Sequence, residues 1–277
     1  MKITNKNNLP EELVKACSGG VFPPKAGRIG VTELIDSPQI RKLKHKHWDE
    51  LSEDVSDRMW AMFGTAVHLM LEPAKPVFVS QEIDGLILTG KLDRYDGKVL
   101  RDYKVTSAWS IVYDSRKADW VNQLNVYRWL LIKNGQTDPE SIEIVAMLRD
   151  WSKTKAMADS NYPQSQTLVI PIQKMTMDAL ENYVEGRIAL HKMNMDCTAE
   201  ERWAAPDKWA VKVEGRKTAL RVFDDEVLAQ QMLEKSGPKH FIEKRPGMNR
   251  RCEEYCAVAS HCSQFKALKE SQMAVEV

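Results

Sequence analysis

An Asp96-Gly97 pair separates two apolar-rich runs, residues 86–95 and 98–105, and constrains the fold of this chain more than any other feature. Asp-Gly between such runs is a strong signal for a β-hairpin, because both central residues of a type I′ turn need a positive φ. The sequence therefore predicts that the two runs pair as antiparallel strands around a two-residue turn.

This turn pairs Tyr95 with Lys98, which makes Asp93 and Asp102 diagonal neighbours on one face, about 7–8 Å apart at the backbone. Lys104 shares that face because side chains alternate along a strand. Two such carboxylates can hold one hard cation. The alternative is a surface hairpin with scattered charges, but charges on so apolar a hairpin are costly unless they are paired or bound to metal.

Composition limits the class of protein. The chain has 277 residues with 43% hydrophobic content, and 40 Lys plus Arg against 39 Asp plus Glu give a net charge of +1. Any contact with nucleic acid must therefore come from local basic patches. No apolar run reaches the ~20 residues of a membrane-spanning helix, and the first residues do not read as a signal peptide. Five cysteines, an odd number, indicate a reducing compartment such as the cytoplasm, with free or metal-bound thiols.

Helices and strands are expected to alternate along the chain. Three helices are predicted first: residues 31–44 with Thr32 as cap, a helix from Ser56 or Asp57 to Pro73, and a helix from Ser115 to Asn134-Gly135. The second should turn Met59, Trp60, Phe63, Val67 and Leu71 to the core. Strands 141–148 and 166–172 and a helix 176–192 follow. This order predicts an α/β fold with a mixed central sheet flanked by helices.

Three segments are predicted: a loop-rich N-terminal segment (1–30), the α/β core (31–195) and a C-terminal extension (196–277). In the extension, a hairpin around Glu214-Gly215, a helix 224–234 and a short strand at Phe241-Ile242 are expected.

Polar residues that suit one chemistry occur in order on these elements. They are His68 and Glu72 on a helix, Asp93 on a strand, Asp102, Tyr103 and Lys104 on the next strand, and Gln123 and Tyr127 on the following helix. Hard divalent cations prefer oxygen ligands and tolerate an imidazole, so His68, Asp93, Asp102 and the Tyr103 carbonyl are candidate ligands.

The remaining members of the set have supporting roles in this interpretation. Lys104 can orient water or neutralise charge on a phosphate. Gln123 and Tyr127 can position Lys104 or a phosphate, and Glu72 can bind a second metal or its water. Taken singly, each of these residues has an ordinary structural explanation, and only their joint order indicates a site.

The pattern Gly64-x-x-x-His68, Gly90-Lys91-Leu92-Asp93, Asp102-Tyr103-Lys104 and Gln123-x-x-x-Tyr127 resembles the RecB-like branch of the PD-(D/E)XK nuclease superfamily. With residues 32–38 added, it looks most like RecE-type and phage-encoded recombination exonucleases. The resemblance covers residues 30–135 and implies a restriction-endonuclease-like core and Mg²⁺- or Mn²⁺-dependent cleavage of DNA. It implies metal ligands at His68, Asp93 and Asp102, and Lys104 as the catalytic lysine.

The C-terminal extension contains Cys252, Cys256 and Cys262 in a C-x3-C-x5-C pattern. Three close thiols suit a soft metal or an iron–sulfur centre. Several RecB-like nucleases bind a 4Fe–4S cluster through such a triplet and one upstream cysteine. That resemblance implies a cluster here, with Cys17 as the fourth ligand and Cys197 as the other candidate. The first gap is one residue longer than usual, and structural zinc or no metal are the alternatives.

The function expected from these features is a metal-dependent DNA exonuclease in recombination or end processing. Its substrate would be linear double-stranded DNA with an end, and a single-strand annealing protein and a homo-oligomeric assembly are the expected partners. A structure-specific endonuclease of the same fold and a catalytically inactive DNA-binding scaffold are the alternatives.

Overall fold

The computed structural model describes residues 1–73, 75–193 and 195–275. The chain divides into two compact units, Met1–Met195 and Asp196–Val277. Every helix among the described residues is too short or too polar to cross a bilayer.

The first unit contains strands and helices in alternation. Its strands are β1 (Lys2–Thr4), β2 (Arg28–Gly30), β3 (Ser52–Asp54), β4 (Val77–Ile83), β5 (Leu86–Leu92), β6 (Arg94–Tyr95), β7 (Val99–Thr106), β8 (Ser141–Leu148) and β9 (Thr167–Ile172). Its helices are α1 (Glu11–Ser18), α2 (Val31–Ile35), α3 (Pro38–His47), α4 (Met59–Leu71), α5 (Ala108–Val112), α6 (Lys117–Lys133), α7 (Lys153–Ala158) and α8 (Met177–Lys192).

Two sheets of this unit pack against helix α6. One has the order β6-β7-β8-β9, with β7 and β8 parallel and the other neighbours antiparallel. The other has the order β2-β5-β4, with β2 parallel and β4 antiparallel to β5. A parallel pair, β1 and β3, forms a third small sheet. Helix α6 contacts strands of both larger sheets as well as α2 and α8. The predicted α/β class, with mixed sheets flanked by helices, is confirmed.

Helix α6 lies in the core, and residues 123–131 on it are all buried. Two of its polar side chains are tied down: Asn125 accepts a hydrogen bond from the Met175 N–H at 2.8 Å, and Arg128 pairs with Asp138 at 2.6 Å. Buried polar groups need such partners, because an unpaired one costs about 1–3 kcal/mol. These bonds fix the rotation of α6 and therefore the direction of every side chain on it.

The predicted register of the hairpin at Asp96-Gly97 is wrong by two residues. Tyr95 pairs with Leu100 instead of Lys98, and the Asp96 N–H donates to the Val99 carbonyl at 3.4 Å. The turn residues are thus Gly97 and Lys98, and Gly97 takes the positive φ of 91°. Counting on from Tyr95 and Leu100 places Asp93 directly opposite Asp102 instead of diagonal to it.

The run 86–95 also has a different main partner from the predicted one. Its first seven residues form β5, which pairs with β4 around Asp84-Gly85. There φ is 48° at Asp84 and 76° at Gly85, the two positive values that a type I′ turn needs. The type I′ turn that an Asp-Gly pair predicts therefore forms at Asp84-Gly85, the earlier of the two pairs in this sequence.

The single helix predicted over residues 31–44 is two helices, α2 and α3. Pro38 opens α3 as its first residue, because proline has no N–H to donate and is tolerated only in the first turn. Thr32 is not the cap of α2: the Gly30 N–H bonds to Glu33 Oε2 at 3.0 Å instead.

The predicted core face of α4 is also wrong. A 3₁₀ turn, Val55–Arg58, precedes the helix. None of the residues of α4 itself is buried. Trp60 is 57%, Phe63 45% and Leu71 42% exposed. Apolar residues surround this helix on nearly every side, so their spacing does not identify the side that packs.

The other predicted elements differ little from the observed ones. Strand 141–148 is confirmed as β8, and 166–172 begins one residue later as β9. Helix 176–192 is confirmed as α8 with Thr176 as its cap. The helix predicted from Ser115 begins at Lys117, after the additional short helix α5.

The second unit has an antiparallel sheet in the order β11-β10-β12. Its elements are β10 (Lys208–Val213), β11 (Arg221–Phe223), α9 (Glu226–Glu234), β12 (His240–Arg245) and α10 (Ser263–Val275). Trp209 pairs with Phe223, so the hairpin expected around Glu214-Gly215 is present. A π-helical turn, Arg251–Tyr255, and a 3₁₀ turn, Ala259–His261, lie between β12 and α10.

Candidate active site

Asp102 is a buried carboxylate in the middle of β7. It is 3% exposed, and Gln123 Nε2 donates to its Oδ1 at 3.1 Å. Lys104 Nζ lies 2.7 Å from Oδ2, yet in the described chain no hydrogen bond is oriented on that oxygen. Burial raises the pKa of Asp102, and the Lys104 charge opposes the shift. The strand thus carries a desolvated oxygen with unused acceptor capacity.

Asp93 lies across from Asp102, between β5 and β6, and both of its oxygens have partners. Oδ1 is 2.9 Å from His68 Nδ1, and Oδ2 accepts the Tyr103 N–H at 2.9 Å. The hydrogen bond with Asp93 raises the pKa of His68, which burial opposes. The sequence predicts the Tyr103 carbonyl as a metal ligand. In the structure, the backbone N–H of Tyr103 contacts Asp93.

Gln123 and Tyr127, one turn apart on α6, extend the polar contacts of Asp102 into the core. Burial raises the pKa of Tyr127, the Asp102 charge adds to the shift, and a hydrogen bond with Gln123 opposes it. We expected these two residues to position Lys104 or a phosphate, whereas Gln123 holds Asp102 and Tyr127 contacts Gln123.

Tyr127 packs against strand β5 at Gly90. A Cβ on Gly90 would lie 2.8 Å from Tyr127 Cε1 and 3.3 Å from Leu130 Cδ1. Contacts below 3.0 Å force atoms to move, and the ring is enclosed by the core. The glycine of the Gly90-Lys91-Leu92-Asp93 motif is therefore required by the close approach of α6.

We expect Gly90→Ala to destabilise the protein by about 1–3 kcal/mol, the usual cost of overpacking a core. The measurement is the urea midpoint at constant m-value. Gly186→Ala is the control, since a Cβ at this exposed helical position meets nothing within 4 Å and should stabilise by about 0.5–1 kcal/mol. Equal midpoints for the Gly90→Ala variant and the parent protein would contradict this account of Gly90.

His68 and Asp93 line an open cleft of about 430 Å³. Glu72, predicted to hold a second metal or its water, lines the same cleft and forms an ion pair with Lys91 at 2.5 Å. Lys91 is the residue that sequence reasoning missed. It lies two positions before Asp93, so strand alternation was the available signal that it faces the same way.

Cys256 and Cys262 lie close enough to Cys252 to affect its thiol. Burial raises the pKa of Cys252, and the neighbouring Cys256 and Cys262 raise it further. Cys197 is buried in the same unit. Cys17 belongs to the first unit, where its sulfur is 3.8 Å from Met59 Sδ. Among the described residues, Cys252, Cys256 and Cys262 do not bring all three sulfurs within 4.8 Å of one another.

Comparisons with known proteins give one family and a distant structural similarity. The family model of the PD-(D/E)XK nuclease superfamily matches residues 25–263. The crystal structure of SSO0001 is similar over 69% of this chain and 88% of its own, with 16% sequence identity and a TM-score of 0.43. No curated protein matches the chain.

Proposed function

Because this chain belongs to the PD-(D/E)XK nuclease superfamily, whose members use divalent metal ions to cleave DNA, we propose that it is a Mg²⁺- or Mn²⁺-dependent DNA exonuclease. The observation that carries the proposal is the convergence of Asp93, Asp102 and Lys104 beside His68. The proposed substrate is linear double-stranded DNA with a free end, processed during recombination as in RecE-type and phage-encoded exonucleases.

The donors at this site suit a hard cation. Asp102 Oδ2 is buried and accepts no oriented hydrogen bond within the described chain, and opposite it stands a second carboxylate, Asp93. His68 Nδ1 lies 2.9 Å from Asp93 Oδ1, so the imidazole and this carboxylate already present donor atoms to the same place. We therefore assign His68, Asp93, Asp102 and the Tyr103 carbonyl as ligands. The ion would supply a nucleophile at neutral pH and stabilise charge on the phosphate.

Side chains around the ion would orient its ligands and stabilise charge on the phosphate. Gln123 holds the Asp102 carboxylate through Oδ1 and so presents Oδ2 to the site. Lys104 carries a positive charge within reach of the same oxygen, where it can stabilise negative charge that develops on a phosphate. Glu72 holds the Lys91 ammonium at the edge of the cleft, and it remains our candidate for binding a second ion or its water.

The experiment that tests the proposal compares linear duplex DNA with covalently closed circles, with Mg²⁺ and with excess EDTA. Mg²⁺-dependent release of acid-soluble nucleotides from linear DNA alone would support the exonuclease. Nicking of closed circles would select the structure-specific endonuclease. DNA binding without any cleavage would select the inactive scaffold.

We further propose, from the resemblance to recombination exonucleases, that the enzyme acts in the cytoplasm and delivers processed ends to a single-strand annealing protein. A homo-oligomeric assembly is part of the same proposal. Copurification of the annealing protein and the mass of the particle in solution test these two points.

We also propose that Cys252, Cys256 and Cys262 bind a 4Fe–4S cluster with Cys17 or Cys197 as the fourth ligand. Three thiolates on one zinc ion, at about 2.3 Å each, would lie within about 4.6 Å of one another. A structural zinc ion held in this way is the runner-up.

Anaerobically purified protein should therefore be brown and contain iron. Cys256→Ser should bleach it and lower its melting temperature, because a cluster that joins distant segments stabilises the fold. Of Cys17→Ser and Cys197→Ser, only the substitution of the fourth ligand should do the same. Colourless protein without iron would refute the cluster, and one equivalent of zinc would select the alternative.

A further inference from the structure

A second open cavity, of about 590 Å³, lies on the β2-β5-β4 sheet. Val79 and Leu88 on these strands are buried in the core with α6. Because side chains alternate along a strand, Phe78, Ser80, Thr89 and Lys91 point away from α6, and residues 22–25 form part of the opposite wall. We call this cavity the β4–β5 groove.

The β4–β5 groove combines exposed aromatic rings with positive charge. Phe22 is 73% and Phe78 is 70% exposed, although large aromatic side chains normally bury most of their surface. Lys25, Arg28 and Lys91 line the same groove. Its single carboxylate, Glu33, is engaged by the Gly30 N–H at 3.0 Å. Because Lys91 is already paired with Glu72, Lys25 and Arg28 against Glu33 leave a small positive balance, which favours an anionic occupant.

Lys91 joins this groove to the candidate active site, because it lines both cavities. Its Nζ lies 5.9 Å from the centroid of the Phe78 ring and 2.5 Å from Glu72 Oε1. A strand lying in the groove would therefore run directly into the cleft that holds His68 and Asp93.

We propose that the β4–β5 groove binds a few unpaired nucleotides of the DNA strand that enters the active site. Single-stranded DNA is held by aromatic side chains that stack on bases and by cations that follow the backbone. In a duplex the base faces are stacked on each other, so two exposed phenylalanines have nothing to stack on. This inference rests on the proposed nuclease function and deepens it, since it makes an unpaired strand segment the form in which DNA reaches the site.

The test measures binding of fluorescein-labelled oligo-dT and of a blunt duplex by anisotropy in EDTA, where no cleavage occurs. Phe22→Ala and Phe78→Ala should each weaken oligo-dT binding about tenfold, within the range of base–aromatic stacking. Phe241→Ala is the matched control, because this phenylalanine of the second unit also has a lysine, Lys212, at 5.9 Å from its ring. It should leave binding unchanged.

The cations are tested by the salt dependence of binding. A Lys25→Gln/Arg28→Gln double variant should reduce the slope of log K against log salt by about 1.4, since each lost phosphate contact to a single strand removes about 0.7. Melting temperatures of all variants should equal that of the parent protein, because the substituted side chains are exposed.

The outcomes separate this inference from the proposed function. Unchanged oligo-dT binding in both phenylalanine variants, with a parent protein that cleaves DNA, would overturn the groove assignment alone and leave a protein partner as its occupant. Equal losses for oligo-dT and duplex would overturn the unpaired-strand assignment. A parent protein that neither binds nor cleaves DNA would overturn the proposed function, and the groove assignment with it.

Discussion

Asp102→Asn should abolish DNA cleavage and leave the protein folded. The substitution keeps the shape of the side chain and an oxygen for Gln123 Nε2, now 3.1 Å from Asp102 Oδ1. It removes the charge that the proposed metal site needs. We expect turnover to fall about a thousandfold or more, because a catalytic ion supplies several kcal/mol of charge stabilisation.

Stability should hold or rise in the Asp102→Asn variant when metal is absent. Burial raises the pKa of Asp102, the Lys104 charge opposes the shift and the Asp93 charge adds to it. Because the net shift is upward, the folded protein disfavours the charged form and loses little when the charge is removed. Asp114→Asn is the matched control: Asp114 has a φ of 50°, which asparagine tolerates, and its carboxylate is exposed. Cleavage by Asp102→Asn at the rate of this control would refute the site.

Lys104→Met should separate turnover from metal binding. Methionine replaces much of the stem of the lysine and removes the ammonium 2.7 Å from Asp102 Oδ2. We expect turnover to fall by about 10²–10³, the usual cost of losing one group that stabilises developing charge. Mn²⁺ binding measured by calorimetry should persist or tighten, because the ammonium repels a cation at the same carboxylate.

The control for this experiment is Lys98→Met, an exposed lysine of the same hairpin that forms an ion pair with Glu140 on the surface. It should retain both activity and metal binding. Loss of Mn²⁺ binding in Lys104→Met, with a normal melting temperature, would show that Lys104 supports the metal and not the reaction.

The sequence predicted the elements of the candidate site better than their pairing. Alternation placed Asp102 and Lys104 on one face of a strand, and these residues are in contact in the structure. Register was lost because two Asp-Gly pairs occur within fourteen residues, and a local turn signal does not say which strands a turn joins. In the structure β5 pairs with β4 up to Leu92, and the next two residues of the run, Arg94 and Tyr95, pair with β7.

The packing of the helices was the second feature that the sequence did not predict. Residues 123–131 are buried on all sides, whereas the sequence predicted a helix here without showing that its polar side is enclosed as well. On α4 the apolar spacing did not identify the packed face, because that helix is apolar on nearly every side and none of its residues is buried. The partner of Gln123 was likewise unpredictable, since it depends on how α6 is rotated against β7.

Helices α6 and α4 each bring one side chain to the carboxylates of the candidate site, Gln123 from α6 to Asp102 and His68 from α4 to Asp93. The backbone amides of α6 should exchange with solvent hydrogen only when the whole unit unfolds, because its central residues are enclosed by both sheets. Helix α4 has no such enclosure, so it can open locally at a much lower free energy. His68 would then leave and rejoin Asp93 while Asp102 and Gln123 stay in place. The site would thus be complete only while α4 is packed against the strands and the helix that hold Asp93, Asp102 and Gln123.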